Sequence, residues 1–278
     1  MAQDKLYARR RLESLGYPLP PFLHVTDREE VTGFQDTHGY PLTAKAPRGG
    51  YDGRGVWRLD DPEEVDRLLE QAPDGLIVEP TLSILAELSV LVVRSTNGER
   101  VIYPAVETVQ RGAMCREILA PAGVSPEIAA RAAAIAVDVA EDINATGVMA
   151  LELFLTPDGL LINELALRPH NSGHFTIEGC ATSQFEQHLR AILGLPLGLP
   201  SLIAPAVATV NVVGGKSGTD PARHLPDALA VPGAHVHLYG KQARPGRKLG
   251  HVTVCGQDPE PVLAAARLAV EALEGDVR

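Results

Sequence analysis

Cysteine is scarce in this chain. Its 278 residues contain three, Cys115, Cys180 and Cys255, far apart and never in a C-x-x-C pair. That excludes a disulfide framework and a cysteine-based zinc site, and leaves three small apolar side chains in a reducing compartment. Aromatic residues make up only 4%, so aliphatic packing must fill the core. No apolar run reaches the roughly 18 residues needed to span a bilayer. The opening stretch MAQDKLYARRRLESLGYP lacks the apolar segment of a signal peptide. Positive charge is in deficit, with a formal net charge of −10. That argues against a general nucleic-acid binder, although a local basic cluster can still hold a small phosphorylated ligand. The expectation is a soluble cytoplasmic enzyme with no nucleic-acid or membrane partner.

What is present supports a sizeable core. Hydrophobic residues make up 45% of the chain, and the length suits one large or two modest domains. Capping and periodicity predict helices over 3–15, 28–38, 60–71, 126–143, 184–193 and 261–273. Short strands are expected at 22–25, 41–45 and 76–79, a hairpin over 87–106 around Asn97-Gly98, and further strands near 207–213, 235–239 and 251–255. The Gly- and Pro-rich run after Leu195 reads as a linker.

The most informative stretch is Val148–Asn171, VMALELFLTPDGLLINELALRPHN. Pro157-Asp158-Gly159 predicts a three-residue hairpin loop, with glycine where φ must be positive. Pairing of Thr156 with Leu160 would then set Glu152 opposite Glu164. Like charges in that position are destabilising, and a divalent cation such as Mg²⁺ would relieve them. An ordinary hairpin with one glutamate at a solvated edge is the competing reading. Arg168, His170 and Asn171 follow at once. A loop network beneath the next helix would explain them as well as a functional site would.

Three other segments carry candidate chemistry. Lys45 leads into PRGGYDGRG, where four glycines in seven residues let backbone amides approach an anion. A flexible loop tip with incidental charges is equally consistent. Glu79–Leu82 ends a strand, and Glu87 follows. A purine edge and ribose could bind there, although locally a solvated strand end reads better. Arg244-Pro-Gly-Arg247-Lys248 is the densest basic cluster and could hold phosphate or carboxylate, against a solvated turn. His235 and His237 alternate on a strand and read as structural histidines.

Taken together, GGYDGRG (49–55), ELSV (87–90), YPAVETVQ (103–110), INELALRPHNSGH (162–174), SQFEQHLRAI (183–192) and RPGRKLGH (244–251) resemble the ATP-grasp enzymes. Within them, the resemblance is to the carboxyaminoimidazole ribonucleotide synthases of purine biosynthesis. It runs in the same order over nearly the whole chain. It implies an α/β (α+β) ATP-grasp domain over 1–195, with two subdomains meeting near residue 83, and a small mainly β domain over 196–278. The implied reaction uses ATP and Mg²⁺ to join bicarbonate to aminoimidazole ribonucleotide (AIR), releasing ADP and phosphate. By resemblance, Lys45 and the loop Gly50, Tyr51, Asp52, Gly53, Arg54, Gly55 and Val56 hold ATP phosphates. Glu79, Pro80, Thr81 and Leu82 meet adenine, and Glu87 the ribose. Gln110 and Asn163 lie near the nucleotide, and Glu152 and Glu164 bind Mg²⁺. Arg168, His170, Asn171 and Lys248 serve bicarbonate and carboxyphosphate, while Tyr51, Asp52, Arg247 and Lys248 face AIR.

A homodimer is implied too. Three residues depart from the family pattern: Val56 stands for a usual Gln, Gln110 for a frequent His, and Leu167 for a usual Pro. The family's N-terminal Rossmann-like domain of about a hundred residues has no counterpart in the sequence. The expectation is therefore a retained nucleotide and Mg²⁺ site with an incomplete AIR site. The alternatives are another ATP-grasp carboxylate–amine ligase, such as a formate-using purine enzyme, or a non-catalytic nucleotide-binding remnant.

Overall fold

The structure, a computed structural model, describes residues 2–50, 55–112 and 114–275. It divides into two compact units that interleave along the chain. The first comprises Met1–Glu87, Gly112–Met114 and Leu151–Leu165, and the second Leu88–Arg111, Cys115–Ala150 and Ala166–Arg278.

The first unit opens with α1 (Lys5–Ser14). Asp4 caps it by accepting from Tyr7 N at 2.8 Å, and Gly16 at φ 79° lets the chain turn away. Then come β1 (Leu23–Val25), α2 (Glu29–His38), β2 (Leu42–Lys45), β3 (Val56–Leu59), α3 (Glu63–Gln71) and β4 (Leu76–Pro80). The strands form a four-stranded sheet in the order β1-β4-β2-β3. Its three pairings are antiparallel. Val25, Leu42, Leu59, Val65, Leu68 and Val78 close one aliphatic core. Strand β3 was not foreseen; it pairs antiparallel with β2, Lys45 opposite Val56.

The second unit contains β5 (Ala86–Arg94, its first residues in the first unit), β6 (Arg100–Ile102), β7 (Val106–Arg111), β8 (Met114–Ala120) and α4 (Pro126–Asp142). Strand β9 (Gly147–Thr156) begins in this unit and ends in the first, where β10 (Gly159–Ala166) pairs with it. After them come α5 (Thr176–Gly179), α6 (Gln184–Ile192), β11 (Ala206–Val213), α7 (Leu225–Leu229), β12 (His235–Leu238), β13 (Lys248–Gly256) and α8 (Pro259–Glu274). Strand order within the unit is β9-β5-β7-β8-β11-β13-β12, with β6 beside β5. Helix α8 starts with Pro259 and ends at Gly275, φ 69°, a left-handed cap. Among the described residues, no helix is long and apolar enough to cross a membrane.

The β9–β10 turn corrects one expectation. Only Pro157 and Asp158 separate the strands, and Gly159, at φ 124°, already belongs to β10. Thr156 Oγ1 donates to Gly159 O at 3.0 Å. The tip is one residue shorter than the composition suggested. Glu152 and Glu164 nevertheless lie on neighbouring strands of one hairpin.

Candidate active site

In the first unit a buried charge cluster forms around Glu79. Strand β2 carries Lys45 and strand β4 carries Glu79, and β2 pairs directly with β4. Lys45 Nζ lies 2.6 Å from Glu79 Oε2, and Arg9, from α1, lies 2.7 Å from Glu79 Oε1. All three side chains are nearly inaccessible, at 11%, 3% and 5% for Lys45, Glu79 and Arg9. Glu79 is therefore not the solvated strand end that its local sequence suggested. Burial pushes the Lys45 ammonium below its usual range, and the Glu79 charge opposes that shift.

Further contacts tie this cluster to the hairpin. Lys45 Nζ reaches Asn163 Oδ1 at 3.4 Å and lies 6.0 Å from the centroid of the Phe154 ring. Arg9 donates to Ile162 O at 2.6 Å. Lys5, one helical turn before Arg9, meets Glu164 Oε2 at 2.5 Å. Glu152 is half-buried on the adjacent strand, and Glu87 is half-buried at the start of β5. Thr81 Oγ1 lies 3.3 Å from Thr43 Oγ1, with Pro80 and Leu82 beside it, both half-buried. Gly50 is half-buried and Gly55 sits at φ 71°, while Val56 is exposed at the start of β3. Tyr51, Asp52, Gly53 and Arg54 lie outside the described residues.

The second unit gathers a cluster of a different kind. His170 and Asn171 stand at the start of a 3-10 turn, Asn171–Gly173. His170 Nδ1 shares a 2.9 Å hydrogen bond with Ser172 Oγ, which meets Ser89 Oγ at 2.7 Å. Gln184, wholly buried, grips both backbone groups of His170. Its Oε1 accepts from His170 N and its Nε2 donates to His170 O, each at 2.8 Å. The same Nε2 lies 3.0 Å from His174 Nδ1. Because that nitrogen must donate, His174 Nδ1 accepts and its proton sits on Nε2. Burial, followed by cationic neighbours, pushes His174 down to about 4.

His174 stacks on His251 at 4.9 Å, and His251 stacks on His237 at 4.6 Å. His237 meets Glu178 Oε1 at 2.6 Å. Tyr239 bonds His251 Nδ1 at 2.7 Å, and burial pushes His251 down to about 2. Among the described residues, no group of three or more His, Cys, Asp or Glu is arranged to hold a metal ion.

Asn171 pairs with Asn211 through two 2.8 Å bonds, and Lys248 Nζ lies 3.5 Å from Asn171 Oδ1. Asn171, Asn211 and Lys248 thus belong to one network, and His170 adjoins Asn171 in the chain. Arg168 and Arg247 are exposed, and each donates to a nearby carbonyl, Pro169 O at 3.0 Å and Gln242 O at 3.2 Å. Gln110 is half-buried on β7, and Leu167 is exposed. Sequence reasoning missed Lys5, Arg9, Gln184 and Asn211. Lys5 and Arg9 sit four residues apart on one helical face, and Asn211 interrupts an apolar strand. Those were the available signals.

The chain matches the family model of the ATP-grasp domain over residues 10–185. It matches the phosphoribosylaminoimidazole carboxylase C-terminal domain over 207–265. It is 44% identical to the N5-carboxyaminoimidazole ribonucleotide synthase of Mycobacterium tuberculosis over 278 aligned residues, covering 96% of this chain and 64% of that one. The chain therefore spans just under two thirds of that relative's length. The Aspergillus clavatus carboxyaminoimidazole ribonucleotide synthase solved with ATP superposes with TM-score 0.90 at 35% identity, covering 99% of this chain and 73% of that one. The same organism's enzyme with ADP and 5-aminoimidazole ribonucleotide gives 0.88 at 34%, covering 98% and 74%. The chain belongs to the ATP-grasp family and, within it, to the N5-carboxyaminoimidazole ribonucleotide synthases.

Proposed function

We propose that this chain catalyses ATP-dependent carboxylation of AIR with bicarbonate in purine biosynthesis, as a cytoplasmic homodimer. The observation that carries this reading is the succession of two family matches on one chain, ATP-grasp over 10–185 and the carboxylase C-terminal domain over 207–265. The same succession supports a division into an ATP-grasp module over 1–195, its subdomains meeting near 83, and a small domain over 196–278.

Phosphoryl transfer asks mainly for positioning and neutralisation of charge. A bicarbonate oxygen attacks the γ-phosphorus of ATP, and the bond to the ADP oxygen breaks. The amine nitrogen of AIR then attacks the carboxyl carbon of carboxyphosphate, phosphate leaves and the nitrogen loses a proton. Lys45 supplies a fixed ammonium for the ATP phosphates, assisted by Gly50–Val56. Glu79–Leu82 would meet adenine through the strand end, since the Glu79 side chain is committed to Arg9 and Lys45. Glu87 would hold the ribose, and Asn163 and Gln110 would border the nucleotide. Arg168, His170, Asn171 and Lys248 would hold bicarbonate and carboxyphosphate. Tyr51, Asp52, Arg247 and Lys248 would face AIR.

Glu152 and Glu164 suit Mg²⁺ by their chemistry. They supply two oxygen-bearing anions on neighbouring strands, and Glu164 already draws the Lys5 ammonium. Two carboxylates with substrate phosphates make the usual donor set for this ion. When bound, it would neutralise phosphate charge.

The test is ADP release by the 278-residue chain with Mg²⁺ and bicarbonate, with and without AIR. AIR-stimulated release that Glu164→Gln abolishes is the expected result. Formate in place of bicarbonate as the required acid would point to a different ligase. Nucleotide binding without stimulated release would overturn the catalytic reading.

A further inference from the structure

We infer that Asn211 is a positioning residue that locks the side-chain amide of Asn171 in one orientation beside Lys248. The inference rests on the carboxylation reading and adds to it a residue outside the proposed site. Strand β11 reads AVATVNVV, and its first seven residues are buried. Asn211 is wholly inaccessible at 0%. A buried amide there costs free energy unless it is hydrogen-bonded, and an aliphatic residue would pack as well.

The bonds specify a polarity. Asn211 Nδ2 donates to Cys115 O at 3.0 Å and to Asn171 Oδ1 at 2.8 Å. Asn211 Oδ1 accepts from Asn171 Nδ2 at 2.8 Å. A backbone carbonyl can only accept, so Asn211 must turn its NH2 group toward Cys115. Its oxygen is then left to receive Asn171, which must offer its own NH2 on that side. At the other end, Lys248 Nζ lies 3.5 Å from Asn171 Oδ1 and can only donate. Both ends of the chain of contacts therefore demand the same orientation. An asparagine that could flip would present a donor or an acceptor to an anion; this one has the choice made for it by a β8 carbonyl. With one N–H of Asn171 committed to Asn211, the direction of the other is set as well. Preorganised donors of this kind stabilise developing negative charge without reorganising during the reaction.

The test compares wild type, Asn211→Leu and the double variant Asn211→Leu with Asn171→Ala. Asn211→Asp keeps the shape and serves if the leucine variant does not fold. The expected result is a fall of about tenfold or more in kcat/KM for bicarbonate, within the range that small misplacements cost, with nucleotide Kd unchanged. On the Asn171→Ala background, the second substitution should add nothing. A parallel loss of nucleotide affinity, or multiplying effects in the double variant, would overturn the inference. If wild type shows no bicarbonate-dependent ADP release, the carboxylation reading fails instead. Side-chain amide NMR then decides the positioning claim. The Asn171 NH2 protons should exchange slowly in wild type and quickly in Asn211→Leu, and equal exchange would overturn the claim.

Discussion

The polar cluster of the first unit is held by full charges, and that of the second by neutral amides and imidazoles. Around Glu79, two cations converge on one carboxylate, all three buried. In the second unit, Asn171 pairs with Asn211, and His170 is held by Gln184 beside rings that burial keeps uncharged. The difference follows from what each cluster must keep in place. A fixed ammonium at Lys45 needs a counter-charge, because burial alone would drive off its proton. The site proposed for a small anion instead needs donors at set angles, and an amide provides those without leaving a charge to neutralise. Charges therefore raise the cost of breaking the first cluster, and geometry raises the cost of breaking the second.

The largest expected effect comes from Glu79→Gln. It would leave Arg9 and Lys45 buried side by side with no carboxylate, a loss of about 3–5 kcal/mol by the usual penalty for an uncompensated buried charge. Asn171→Ala should cost less, about 1–3 kcal/mol, because what it strands on Asn211 is neutral: the side-chain oxygen loses its donor and one N–H its acceptor. Urea midpoints of the two variants, read with the m-value held in view, measure the contrast directly. Equal losses would mean that charge is not what distinguishes the clusters.

The same contrast decides what could be read from the sequence. The helices were legible because caps and apolar spacing are local: Ser125-Pro126 and Gly16 each stand where the rules put them, although Asp4, expected inside the first helix, caps it instead. So were the central strands β2, β4 and β11. Strands β7 and β8 escaped notice as strands because they carry charges that look solvated. Glu117 is 4% exposed, yet its partners are Arg267, at 2.9 and 2.6 Å, and Arg111, at 3.1 Å. A partner 150 positions away leaves no local trace. Glu79 misled for the same reason, since Arg9 arrives from a different element. The candidate residues Lys45, His170, Asn171 and Lys248 stood out in their local segments and took their expected roles from the resemblance. The residues that hold them, Gln184 and Asn211, carry polar side chains whose partners only the tertiary fold reveals.

Acid should sharpen the contrast from the other side. Burial holds His174 at about 4 and His251 at about 2 in the folded chain, whereas unfolded histidine titrates near 6.5. As pH falls below about 6.5, the unfolded chain binds protons that the folded chain refuses, so stability drops. The loss continues to about pH 4 for His174 and to about pH 2 for His251. Each ring contributes up to about 1.4 kcal/mol per pH unit within its window. Melting temperatures between pH 7.5 and 5 report the buried histidines, with His188 adding in the same direction because burial lowers it too, while most carboxylates stay ionised there. The expected fall should be reduced in His174→Phe, which keeps the stacking on His251. A melting temperature that holds steady over that range would refute the neutral, buried state of the rings.

The smallest effect is expected far from either cluster, at the cap of α4. Ser125 sits at φ −64°, ψ 153°, and its side chain accepts from Ile128 N at 3.4 Å. That is a long bond, so Ser125→Ala should fall toward the low end of the usual range for a lost cap, about 0.5–1 kcal/mol. Pro126 at the first helical position already removes one donor that would otherwise go unmet, which lowers the cost again. The variant is useful because it lowers stability without touching His170, Asn171 or Lys45. If its ADP release and its pH dependence match wild type, the losses in Asn211→Leu and in acid belong to the network around Asn171 and the stacked rings. If this mild destabilisation alone changes bicarbonate kinetics, loosening of the whole fold would account for what has been ascribed to one oriented amide.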